Sequence, residues 1–165
     1  MAIDVANKNS SHSHKKDKTQ MKDSKHKDEV FGHELLLDLY DCKTGVCDDI
    51  NLSYQFLDEM VADLGMEKQA PPTVFRSDEV RFPDKAGLSG WVPLIESSIV
   101  IHTLSVKNFI SIDVYCCKSF DLEKAKEVCQ RFFKPKSIEA QYIKRGLKYF
   151  SCKSNKTQPV QTQLA

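Results

Sequence analysis

Reactive side-chain types concentrate between Leu94 and Cys117, in LIESSIVIHTLSVKNFISIDVYCC. Hydroxyls at Ser97 and Ser98, an imidazole at His102 and thiols at Cys116 and Cys117 fall here on two neighbouring segments. These groups serve nucleophilic attack and proton transfer near neutral pH. Taken one at a time they carry little: His102 between Ile101 and Thr103 also fits a core histidine, Cys117 a small buried hydrophobe, and Ser89 a turn serine.

The elements that must position them follow from periodicity. Ser98 to Thr103 and Phe109 to Cys116 alternate as strands. In the second, Ile110, Ile112 and Val114 face one way and Ser111, Asp113 and Tyr115 the other. Cys116 and Cys117 should then point to opposite faces. Phe31 to Tyr40 has the apolar density of a central strand, with Asp41 and Gly45 as a turn after it. Asp48 and Asp49 open an amphipathic helix carrying Leu52, Phe56, Leu57, Met60, Val61 and Leu64, which stops at Gly65.

After Pro71 and Pro72, Thr73 to Arg81 is predicted to be extended, and PDKAG at 83–87 is a turn into LSGWVPLI. Asp121 caps a second helix with a stripe of Leu122, Ala125, Cys129 and Phe132, ending before Pro135; a last strand runs over about Ser137 to Ile143. The order predicts an α+β fold, an antiparallel sheet with two helices packed on one face. The other face needs cover, and a second copy of the chain, making a homodimer, would supply it.

Composition removes other classes. The chain of 165 residues fits one domain, with a core over 30–150 between a Lys- and His-rich tail at 1–29, expected to be disordered, and a flexible tail at 151–165. Net charge is about +2 over the first 29 residues and −1 over the rest. This argues against nucleic-acid binding by the folded part. No apolar run is long enough for a membrane span or a secretory signal, so a cytoplasmic location without membrane contact is expected. The six cysteines are then expected to be reduced. Neither Cys42 with Cys47 nor Cys116 with Cys117 has the C-x-x-C spacing of a zinc site, and His12, His14 and His26 are expected to be solvated, so no metal is expected.

Taken together, Glu96, Ser97, Ser98, Ile99 to Ile101, His102 and Thr103 form a pattern that resembles the small prokaryotic, pyruvoyl-dependent S-adenosylmethionine decarboxylase proenzymes. Gly87 to Gly90 upstream, Asp113 to Cys117 downstream, Gly32 with His33, Asp38 to Cys42, and Arg145 with Gly146 extend the resemblance over the whole core. It implies self-cleavage between Glu96 and Ser97. Ser97 would become a pyruvoyl cofactor that forms a Schiff base with a small amino-acid-type substrate; His102 would be the processing acid/base, Ser89 its support and Cys117 the proton donor. Phe82 corresponds to an aromatic that stacks on adenine, although PDKAG has one residue more than the usual spacing.

Two positions depart from the pattern: Ser98 stands where His is usual, and Val106 where a ribose-binding Glu is usual. The first also occurs in the eukaryotic branch. The second bears on the substrate, because a pocket that loses the acceptor for a hydroxyl loses selectivity for it. The resemblance thus implies an S-adenosylmethionine decarboxylase of spermidine and polyamine biosynthesis. Arginine or ornithine decarboxylation on the same fold is an alternative, and a non-catalytic regulatory paralogue a further one. Asp38, Asp41 and Asp113, on or beside core strands, are candidate effector contacts or strand-end solvation.

Overall fold

The computed structural model describes residues 30–152. The expected tails, apart from Ser151 and Cys152, and the three tail histidines lie outside these residues. Six strands run as β1 (Gly32–Tyr40), β2 (Thr73–Arg76), β3 (Leu88–Leu94), β4 (Ser97–Leu104), β5 (Phe109–Cys116) and β6 (Ser137–Arg145), with helices α1 (Ile50–Asp63) and α2 (Leu122–Phe133). They form one sheet in the order β2-β3-β4-β5-β1-β6, with every neighbouring pair antiparallel. The α+β architecture is the one expected.

Alternation divides the sheet. Leu35, Leu37 and Leu39 of β1, Ile99 and Ile101 of β4, and Ile110, Ile112 and Val114 of β5 are almost wholly buried in one core with Phe56, Leu57, Met60 and Val61 of α1. Non-directional burial of this kind, about 25 cal/mol per Å² of apolar surface, is the main force holding helices to sheet. Among the described residues no helix covers the opposite face, which carries Trp91, His102 and Asp113 exposed.

The helices start where acidic side chains can cap them. Asp49 Oδ1 accepts from Leu52 N at 2.9 Å, and Asp121 Oδ1 accepts from Glu123 N and Lys124 N at 3.0 Å each. In α2 the buried stripe is Ala125, Val128, Cys129 and Phe133; Leu122 and Phe132, expected to be in it, are only partly buried. The sequence pattern fixed the spacing but placed the stripe's centre too far to one side. Phe133 packs on Phe56 with ring centroids 4.7 Å apart, and Arg131 ties α2 to Glu59 and Asp63 of α1, each at 2.8 Å.

The extended segment expected over Thr73 to Arg81 ends at Arg76. Local hydrogen bonding turns the chain there: Asp78 Oδ1 accepts from Arg81 N at 3.0 Å and Asp78 O from Phe82 N at 2.8 Å. The last strand, conversely, runs on to Arg145 because it pairs with β1 along its whole length.

The core thiols have unlike environments. Cys42 Sγ donates to Leu39 O and Cys47 Sγ to Phe109 O, each at 3.8 Å; the neighbouring Cys47 thiol and burial move the pKa of Cys42 up, while proximity to Cys42 moves that of Cys47 down. Burial pushes the Cys129 thiol up from 9.0 to about 12. The native state therefore keeps a proton that the unfolded chain loses, so stability should be complete below about pH 9 and fall by about 1.4 kcal/mol per pH unit from there towards pH 12. Urea unfolding of wild type and Cys129→Ser across this range checks it, the variant showing the shallower fall. Asp121→Ala should cost about 1 kcal/mol by the same measurement, through loss of the α2 cap.

Candidate active site

The β3–β4 hairpin carries most of the candidate residues, and its register decides what they can do. Leu94 pairs with Ser97, leaving Ile95 and Glu96 as a two-residue loop, and Ser89 pairs with His102. Glu96 has φ +56°, a left-handed conformation that costs a residue with a Cβ about 1–2 kcal/mol. The peptide bond between Glu96 and Ser97 therefore follows directly on a strained residue.

Ser97 lies where the hairpin meets the end of β5. Its Oγ accepts a hydrogen bond from Cys117 N at 3.1 Å. A donor aimed at Oγ favours negative charge developing there, as nucleophilic attack requires. Ser97, Glu96 and Cys117 line a cavity of about 330 Å³ between the hairpin turn, the end of α1 and the β5–α2 connection. Cys116 also lines it but is buried beneath, whereas Cys117 is partly exposed.

Ser89 and His102 form a second, separate group. Ser89 Oγ lies 2.9 Å from His102 Nδ1, in hydrogen-bond contact on the open face of the sheet. The aromatic side chains of Phe75 and Trp91 flank a hollow of about 140 Å³ beside the pair. Gly87 holds this register: at φ +151° it lies so close to β4 that a Cβ would be 2.0 Å from Thr103 O. Thr103 in turn donates to Cys47 O at 2.6 Å and accepts from Leu88 N at 2.7 Å, locking the start of β3 and the end of β4 to the segment before α1.

The structure does not bring the two groups together within one chain. Ser97 and His102 are five residues apart on one strand, about 16 Å at ~3.3 Å per residue, and five is an odd step that sends their side chains to opposite faces. Phe82 is also remote from Ser97. It sits in the loop before β3, at the other end of the hairpin, with the Arg81 guanidinium 5.0 Å and the Lys85 ammonium 5.6 Å from its ring centroid. Val106 is 61% exposed in the neighbouring Ser105–Lys107 turn, which is joined to the Phe82 loop by Ser105 N donating to Ala86 O at 2.9 Å.

Among the acidic candidates, Asp113 is exposed and Asp38 partly buried on the open face, while Asp41, at φ +50° in the turn after β1, is 3.6 Å from Lys136. Trp91 and Phe75 escaped the sequence reading of the site. Trp91 could have been found, because strand alternation puts it on the same face as Ser89 two residues earlier; Phase-free local pattern offers nothing comparable for Phe75, whose place depends on its pairing with Ser89 across β2 and β3. Among the described residues no three His, Cys, Asp or Glu side chains gather to hold a metal ion, and no helix is long and apolar enough to cross a membrane.

The chain is similar to known proteins of one family. Residues 33–146 match the family model described as S-adenosylmethionine decarboxylase. The S-adenosylmethionine decarboxylase proenzyme of Pyrococcus horikoshii is 30% identical over 120 residues, covering 72% of this chain and 81% of that protein. That of Acetivibrio thermocellus is 28% identical over 122 residues, 72% of this chain and 90% of its own. The match to the Pseudomonas aeruginosa proenzyme, 32% identical over 88 residues, spans only about half of that protein, 51%. The crystal structure of the adenosylmethionine decarboxylase from Aquifex aeolicus shares the fold, with a TM-score of 0.60 at 24% identity over 72% of this chain and 92% of that one. The chain belongs to the S-adenosylmethionine decarboxylase family, a family of carboxy-lyases.

Proposed function

We propose that the chain is a self-processing, pyruvoyl-dependent decarboxylase whose reaction centre is completed by a second copy of itself. The observation that carries this reading is the division of the reactive groups: Ser97 with Cys117 at one end of the β3–β4 hairpin, and the Ser89–His102 pair on the open face about 16 Å away. A rigid sheet cannot close that distance. A twofold partner packed on the open face can, since it presents its own Ser89–His102 pair and Phe82 loop to the Ser97 end of the first chain. The exposed aromatic side chains of Phe75 and Trp91 suit such a contact.

Processing then uses the residues as follows. Ser97 Oγ attacks the Glu96 carbonyl carbon, and the peptide bond is exchanged for an ester, with the Cys117 N–H supporting charge on the oxygen. A base removes the Ser97 α-proton, the Glu96 carboxylate leaves, and water converts the resulting dehydroalanine to a pyruvoyl group with release of ammonia. His102 is that base. Its Nδ1 is occupied by Ser89 Oγ, which fixes the ring and leaves Nε2 to take the proton.

The donor set fits the group that this produces. The carbonyl would stand at residue 97 in the cavity that Cys117 also lines. A pyruvoyl group supplies an electron sink for a substrate carboxylate leaving as carbon dioxide. Cys117 returns a proton to the α-carbon, a role that suits an S–H donor partly open to the cavity. No metal has a part in this scheme.

S-adenosylmethionine is the leading substrate, on the family match, and its product would enter spermidine synthesis. One observation favours a second reading, arginine or ornithine: the Val106 side chain, exposed in the turn beside the Phe82 loop, cannot accept hydrogen bonds from a ribose. The cytoplasm is the compartment proposed for either activity. Intact mass under denaturing, reducing conditions tests the reading: wild type should give two fragments divided after Glu96, the second with a blocked N-terminus, and Ser97→Ala a single uncleaved chain. An uncleaved wild-type chain after prolonged incubation would refute self-processing and favour a non-catalytic partner.

A further inference from the structure

The cavity beside Ser97 holds charged groups that neither processing nor proton return uses. Glu67 and Lys118 both line it, with Ser97 and Cys117. Neither the Glu67 carboxylate nor the Lys118 ammonium meets a counter-ion among the described residues. The next residue, Lys68, is by contrast neutralised by Asp58 at 2.6 Å.

Glu67 is held at the hairpin by its backbone. Glu67 O accepts from Ile95 N at 3.4 Å, Lys68 bridges to Leu94, and Gln69 N donates to Pro93 O at 2.9 Å. The segment from 67 to 69 thus runs as a short strap along the end of β3. It fixes the Glu67 backbone against the loop that contains the proposed cleavage site and leaves its side chain at the cavity rim. All these residues precede Ser97, so they stay in one fragment when the chain is cut.

We infer that Glu67 determines substrate choice by receiving the positively charged side-chain group of an α-amino acid bound at residue 97. This rests on the decarboxylase reading above and deepens it. A sulfonium, a guanidinium and an ammonium share the required charge, and Glu67, exposed in the free chain, lines the hollow beside residue 97 with no counter-ion of its own to displace. Lys118, next to Cys117, gives the same hollow a positive group, which suits the carboxylate end of an amino acid. Glu67 needs no contact with the reacting atoms, so its removal should weaken binding rather than chemistry.

Ser97→Ala protein, which cannot form the pyruvoyl group, allows unconsumed substrates to be titrated. Calorimetry with S-adenosylmethionine, arginine and ornithine should show binding of at least one, and Glu67→Gln in this background should weaken that ligand about ten- to hundredfold at an unchanged urea midpoint. The ligand affected identifies the cation. Equal affinity in Glu67→Gln, or no binding of any of the three, overturns the inference. Failure of the decarboxylase reading is seen separately, as an uncleaved wild-type chain.

Discussion

The rigid spacing along β4 is the constraint on which the rest of the account depends. His102 lies five strand steps beyond Ser97, and paired strands on both sides prevent the intervening segment from bending. The same register that puts Ile99 and Ile101 into the core sends His102 to the open face. A slip by one residue would bury the imidazole and expose the core side chains. Hydrophobic burial under the helices thus also fixes which side of the sheet carries the Ser89–His102 pair.

Around that strand, local features serve the same division. The close approach of Gly87 to Thr103 and the two hydrogen bonds of Thr103 Oγ1 tie down the end that carries Ser89 and His102. At the other end, the strained Glu96 and the hydrogen bond from Cys117 N set Ser97 apart from an ordinary strand serine. A non-glycine residue held in the left-handed region by well-paired strands is a form of backbone strain that clusters at functional sites. The helices contribute little directly to the reactive groups, but the end of α1 forms part of the cavity wall.

Much of this was legible in the sequence, and the exceptions have physical causes. Alternation in Phe109 to Cys116 and the capping aspartates at 49 and 121 identified elements that the structure contains, because both signals are local. The α2 stripe was misplaced by a few positions because a helix of this composition has apolar residues at 122, 128, 132 and 133, and only the partner surface chooses among them. Ser97, Cys117, Ser89 and His102 stood out only through the family resemblance, since each taken alone fits an ordinary structural position. Their division into two groups was not legible, since it follows from strand parity combined with the actual register. Glu67 left no local signal at all; its position depends on a strap pairing with residues 93 to 95.

The central claim, a reaction centre shared between two copies, is tested most directly by complementation. Ser97→Ala and His102→Ala chains, distinguished by mass and expressed separately, should each remain uncleaved. Expressed together they should yield cleaved chains, and every cleaved chain should carry the His102→Ala substitution, its intact Ser97 served by the partner's imidazole. Efficient cleavage of His102→Ala alone, or no cleavage in the mixture despite formation of mixed dimers, would contradict the account.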